Sequence, residues 1–459
     1  MGFDPELAEI RFGTGLGPRL TPAPDIATML ERLQGPDLAA RHFPIASFAE
    51  QIPDIIRFGE LRKAGRRGDT GARAQADRIK RGTRLRQAKW FAATLARWVD
   101  SPDGMRERLT RFWADHFTVA GKQTMTRPLV STYVEDAIRP HVTGRFADML
   151  RAAETHQMML DYLDQFKSVG EGSRVARNDP AKGLNENLAR EILELHTLGV
   201  DGPYDQSDVR QFANLLAGFT HDRRGTVNYQ VRRANPGPEV IMGKSYGGQK
   251  PQVEDVYEAF EDLATHPATA RHLAQKLAVH FVADDPDPAL VDHVTERFMA
   301  TGGDLMLVYA ALLEHPAAWA PERRKVKQPF DFVATSVKAL GVSGREAARL
   351  KLKDLRQGFL VPMALMGETW QKPTGPDGLP EEASFWITPQ GLAARIEWAL
   401  TIPLALFERV PGDMPDPRDL VATALGNQAD ETVRFVAGAA ETRWEGVGLV
   451  LSSPGFQRR

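Results

Sequence analysis

Apolar residues recur at helical spacing along most of this chain, and the pattern predicts a mainly α-helical protein. The periodic stretches are 25–35, 46–65, 74–99, 127–139, 144–164, 184–198, 207–217, 252–265, 268–282, 286–301, 304–314, 328–340, 388–408, 417–425, 429–439 and 442–451. A further helix is expected from Ser101-Pro102 to about Val119, with Pro at its first turn. Three stretches break the rhythm. Residues 165–183 are polar, and 366–387 are rich in Trp, Pro and Gly. Between 219 and 250, Thr226–Val231 alternates and Glu239–Met242 follows Asn235-Pro-Gly-Pro, which predicts a small β-hairpin insert near 226–242. The expected organisation is one large multi-helix unit. Residues 1–100 form an N-terminal helical arm that is semi-independent of a main helical domain at 101–459.

The 184–198 helix holds the most informative run, Asn185-Glu-Asn-Leu-Ala-Arg-Glu-Ile-Leu-Glu-Leu-His-Thr-Leu-Gly199. Leu188, Ile192 and Leu195 step i, i+4, i+7 as an apolar stripe. Asn187, Glu191 and Glu194 repeat that step on its flank. Carboxylates beside a core-facing row need a partner, a proton or a metal, because an unpaired buried charge is costly. Two readings stand. Glu186 and Arg190 form an ordinary i, i+4 surface pair, with Asn185 capping the helix and Gly199 ending it. Alternatively, Glu191 and Glu194 face a cleft, where Arg190 can clamp an anionic group.

Phe112-Trp-Ala-Asp-His-Phe117 places His116 among three aromatics. A histidine so placed is ordinarily satisfied by a carbonyl or carboxylate; the sharper reading makes it a general acid or base. His221 and the tryptophans Trp370 and Trp386 are candidate substrate contacts. Gly243-Lys-Ser-Tyr-Gly247 matches a nucleophile-elbow spacing, but a turn follows it where a helix is required.

The chain has 459 residues, a formal net charge of -2 and no cysteine. Disulfides, thiolate metal sites and a Cys nucleophile are thereby excluded. No paired-histidine zinc motif occurs, and no metal or cofactor is expected. The near-neutral charge gives no global pull towards nucleic acid or membrane, and neither is expected as a partner. One local exception is 62–89, where eleven Lys and Arg face only Asp69 and Asp77. A solvated helix face is the commoner meaning of such a run; an anionic polymer is the alternative ligand. No signal-peptide pattern opens the chain, so the expected location is the cytoplasm.

Several runs together resemble the bacterial "domain of unknown function 1800" family. They are Ile10–Pro18, Phe112–Val119, Met159–Asp164 with Asn185–Gly199, Tyr204–Val209 with Leu215–Thr220, and Trp370–Gly378 with Trp386–Leu392 and Arg395. The resemblance carries no catalytic role. It implies that many relatives are exported and are encoded beside proteins of the "domain of unknown function 1501" family, which look alkaline-phosphatase-like or sulfatase-like. A periplasmic location would then follow from co-export or from removal of a leader.

Two functions are expected from these readings. The first is a hydrolase or lyase acting on a saccharide or similar polar polymer. There, Glu191, Glu194 and His116 do the proton chemistry, and Asn187, Arg190, His221, Trp370 and Trp386 bind substrate. The second is a non-catalytic escort of an alkaline-phosphatase-like protein, with the 185–199 run as a buried polar network.

Overall fold

The computed structural model describes residues 2–179, 181–222 and 227–459. Helices dominate, and four short strands form two small antiparallel hairpins. The helices that matter for the site are, in chain order, α1 (Ile52–Arg66), α2 (Thr70–Asp100), α3 (Gly104–His116), α4 (Asn187–Glu191), α5 (Pro267–Phe281), α6 (Pro329–Ala339), α7 (Val361–Leu365) and α8 (Pro389–Phe407).

Local chemistry sets their ends. Asp69 caps α2 by accepting a hydrogen bond from Ala72 N at 2.8 Å, and Asp103 caps α3 by accepting from Arg106 N at 3.0 Å. The expected start at Ser101-Pro102 is corrected here. Ser101 ends α2, Pro102 lies between the helices, and α3 stops at His116 rather than Val119. Asp103 competes better for the cap because its carboxylate reaches both Arg106 N and Arg106 Nε, the latter at 2.9 Å.

Two apolar cores form. The first gathers Leu7, Phe12, Leu109, Trp113, Leu188, Ile192, Leu277 and Tyr309. The second gathers Phe91, Leu95, Trp98, Phe330, Phe332, Trp398 and Phe456. Complete burial of such side chains contributes about 1.5–3 kcal/mol each, set against the entropy of ordering the chain. The C-terminal half of α2 serves both cores, with Trp90 in one and Phe91 in the other. A buried ion pair also joins them: Arg108 of α3 meets Asp331 of α6 at 2.7 Å. Within the first hundred residues, only α1 and the start of α2 have a separate small core, of Leu61, Ala72 and Ala76 with Phe58, Ala64 and Ile79 against it.

The hairpin region pairs differently from expectation. Strand β1 (Phe219–His221) pairs with β2 (Val227–Tyr229), and β3 (Glu239–Ile241) pairs with β4 (Lys244–Tyr246). Met242 and Gly243 both have positive φ, 49° and 79°, which closes β3 onto β4 in a two-residue turn. That local closure takes the partner the alternation had assigned to 226–231. Thr226 itself lies outside the described residues. Ser245 sits exposed in the middle of β4, so Gly243–Gly247 is not a strand-to-helix elbow. No helix among the described residues is long and apolar enough to cross a membrane.

Candidate functional site

In the 185–199 run the helix begins at Asn187 with Glu186 at its N-cap, and the expected cap Asn185 stands one residue outside it. Asn185 Oδ1 accepts from Asn187 N at 2.9 Å. After Glu191 the helix widens into a π turn, Ile192–His196, and the Thr197 hydroxyl donates to Ile192 O at 2.6 Å. Such turns are uncommon and frequent at functional sites. The buried face is Leu188, Ala189, Ile192, Leu193 and His196, and Leu195 stands half-buried at its edge rather than in the stripe. The helix end leaves the Leu195 and His196 carbonyls without helical partners. Two histidines satisfy them: His272 Nε2 donates to Leu195 O at 3.1 Å, and His116 Nε2 donates to His196 O at 3.2 Å. His196 Nδ1 in turn lies 2.7 Å from the buried Glu154 carboxylate.

The acids of the run part company. Arg190 bridges Glu186 at 3.3 Å and Glu194 at 3.2 Å, so Glu194 is held in a partly exposed ion pair. Glu191 is half-buried and has no hydrogen-bond or ion-pair partner among the described residues. Burial raises its pKa, and the charges of Glu194, Glu154 and Asp377 raise it further against the pull of His196. Tyr162 shares this setting: burial and then Glu191 and Asp377 push its hydroxyl up.

Helix α5 brings a second set. His272, Lys276 and His280 step i, i+4, i+8 and therefore share one face. Burial lowers the Lys276 pKa, opposed by Asp115, Glu381 and Asp377. His116 falls well below the ordinary histidine value through burial and then Lys276, His196 and His272, so its ring is neutral. Asp115, one residue earlier on α3, is raised to about 7 by burial, although the Leu379 N–H and Arg111 favour its charge. Glu381 anchors the far end, 2.6 Å from His280 and 3.1 Å from the buried Lys325.

The 366–387 stretch passes between these groups. Gly378 has φ +82°, and a Cβ there would lie 2.7 Å from Asp115 O and Oδ2. Only glycine permits that approach, which lets Leu379 N donate to the Asp115 carboxylate at 3.0 Å. On one side of the stretch the exposed Asp377 lies within electrostatic reach of Glu191 and Lys276. On the other, Trp370, Gln371 and Leu379 line a cavity of about 130 Å³. Three ion pairs complete its wall: Arg97–Glu135 at 2.5 Å, Arg139–Glu107 at 2.6 Å and Arg111–Glu368 at 2.7 Å. Trp370 Nε1 and Gln371 Oε1 are buried there without hydrogen-bond partners among the described residues.

The candidate residues thus do not converge on one place. Glu191, Glu194 and Arg190 lie on one half-buried helix face, with Asn187 exposed beside them. His116 is behind that face, 3% exposed. Trp370 lines the cavity. Trp386 is 1% exposed, and its indole N–H donates to Pro380 O at 2.8 Å, so its ring supports the stretch from within. His221 sits apart in β1, where burial works against its charge but Asp161, 2.8 Å away, raises its pKa overall. Asp115, Lys276, Asp377 and His196 were not anticipated as a set. The i, i+4, i+8 row on α5 was the one signal available for Lys276.

Among the described residues no group of three or more His, Asp or Glu is arranged to hold a metal ion. No curated protein and no solved structure shows significant similarity to the chain. The runs that meet at this site, 112–119, 185–199 and 370–378, all lie inside the region matched by one family model. The chain belongs to the family described as "Protein of unknown function (DUF1800)", whose model matches residues 16–458.

Proposed function

We propose that this protein is an enzyme, a hydrolase or lyase that cleaves a saccharide or similar polar polymer by proton transfer. One observation carries the reading: Glu191 is a half-buried carboxyl with a raised pKa and no hydrogen-bond or ion-pair partner among the described residues, within the electrostatic reach of a second carboxyl, Asp377. A carboxyl whose environment favours the protonated form, near one that is exposed, is the pattern of an acid and base pair. Glu191 gives its proton to the bridging oxygen as the C–O bond breaks. Asp377 takes a proton from the attacking water, or from a ring carbon in an elimination. Glu194, fixed by Arg190, supports the protonated state of Glu191 through its charge. Tyr162 and Lys276 offer polar contacts to hydroxyl groups.

The test is incubation with neutral and acidic polysaccharides, read as new reducing ends and new carbon–carbon double bonds. Glu191→Gln should lower the rate by about 100-fold or more while leaving the melting temperature near that of the native chain. A Gln variant that cleaves at the native rate overturns the assignment.

A second reading, escort of an alkaline-phosphatase-like protein, is favoured by a different observation. Val361 and Leu365 on α7, and Leu392, Ile396 and Leu404 on α8, are each 39–50% exposed. Rows of exposed apolar side chains mark protein contacts. Leu392→Glu with Ile396→Glu should abolish co-purification with such a partner. Unchanged co-purification counts against this second reading.

A further inference from the structure

We propose that the hairpin of α1 and α2 is a docking arm for an acidic polysaccharide. Residues 52–89 hold twelve Lys and Arg against four Asp and Glu, a net charge of +8 in a chain of net -2, so the remaining residues carry -10. Few of these cations are neutralised locally. Arg57 pairs with Glu60 at 3.3 Å and Arg86 with Asp54 at 2.6 Å, and the Asp69 carboxylate is occupied as the α2 cap. Nine exposed Lys and Arg have no ion pair among the described residues, including Arg62, Arg66, Arg73, Arg78, Arg81 and Arg84. Holding so many like charges along about 30 Å of helix is unfavourable unless an anion meets them.

The arrangement says which anion. Ala72, Ala76, Ile79 and Thr83 step along one face of α2 and turn towards α1 or the body. The cations occupy the rest of the circumference, so the charge wraps the rod instead of lying on one side. That suits a flexible chain and not a flat bilayer. Leu85 is the one large apolar side chain exposed on the arm, too little to anchor in lipid. No aromatic side chain is exposed on it, so nucleobases find no stacking platform. Most of the cations are arginine, whose planar fork matches carboxylate and sulfate oxygens two at a time. A polysaccharide of uronate or sulfated sugars has those groups at regular spacing. This surface is distinct from the Glu191 groups, and binding is scored without turnover, so it stands or falls separately from the catalytic reading.

The experiment is titration of the full chain with polygalacturonate and with heparin at low salt, with dextran as the neutral control. Both acidic polymers should bind and dextran should not. Affinity should fall steeply as salt rises, as for any contact that releases counterions. Arg78→Glu with Arg81→Glu and Arg84→Glu should weaken binding at least about tenfold and flatten the salt dependence. Arg62→Gln with Arg66→Gln on α1 should give a smaller loss, and serves as the reading if the triple variant does not fold. The proposal is overturned if neither acidic polymer binds at low salt, if the folded variants bind as tightly as the native chain, or if duplex DNA or anionic vesicles bind more tightly than the polysaccharides.

Discussion

Asp115 is a single carboxyl on which three parts of the chain converge: α3 supplies it, Gly378 approaches it, and Lys276 lies in its field. Its folded pKa, about 7, lies well above the unfolded value of 3.8. The folded state therefore binds the proton more tightly than the unfolded state. That contribution to stability is complete below pH 4 and is lost as pH rises towards 7 and beyond. Asp115→Asn should then be more stable than the native chain at pH 8, by on the order of 2 kcal/mol, with the gap closing by pH 4. Melting curves at the two pH values check it, and a gap of constant size would sink the assignment. Asp331 is the opposite case. It is buried, yet Arg108, Arg459 and Arg111 hold its pKa well below the carboxylate range. Asp331→Ala leaves those guanidinium groups facing one another, and should cost about 3–5 kcal/mol in chemical denaturation. Neither residue stood out in the sequence. Asp115 sits in an aromatic run that drew attention to His116, and Asp331 is one acid among sixty Asp and Glu.

At the scale of elements, the π turn at Ile192–His196 and the 366–387 stretch frame the candidate site. The helix periodicity of 184–198 was readable, and so was Arg190 pairing with Glu186. The widening was not, because a π turn depends on what receives the freed carbonyls. Here His116 and His272 donate to them, from positions 80 and 77 residues away in sequence. The stretch depends on one residue without a side chain. Gly378→Ala adds a Cβ at positive φ against Asp115, and the predicted cost is about 1–3 kcal/mol. Displacing the stretch also breaks the Leu379 bond to Asp115, so the variant should show a steeper fall in stability between pH 4 and pH 8. A variant with native melting behaviour across that range would show that the close approach is dispensable.

At the scale of the whole molecule, the two cores share α2, and the α3–α6 ion pair joins them. Within the first hundred residues, 52–79 have their own small core, and residues such as Leu7, Phe12 and Leu33 belong to the first large one. Stability rests on apolar burial and on paired buried charges, and no described group of acids and histidines is arranged as a metal site. Thermal melts with and without a chelator should therefore coincide. A large drop in melting temperature on chelation would reveal a structural metal.

The sequence alone determined the helical class, most helix positions and the family, because each rests on local periodicity, caps and contiguous runs. It also isolated Glu191, since a carboxylate beside an apolar stripe is visible within one helix turn. Only the tertiary structure decided which acids are paired, which proton is held near neutrality and which tryptophan lines a cavity. Desolvation and charge–charge energy depend on neighbours in space. Arg190 could be paired with Glu194 from spacing alone, but Asp377 reaches Glu191 across nearly two hundred residues of chain. That electrostatic reach depends on the tertiary fold, and no pattern within either segment encodes it.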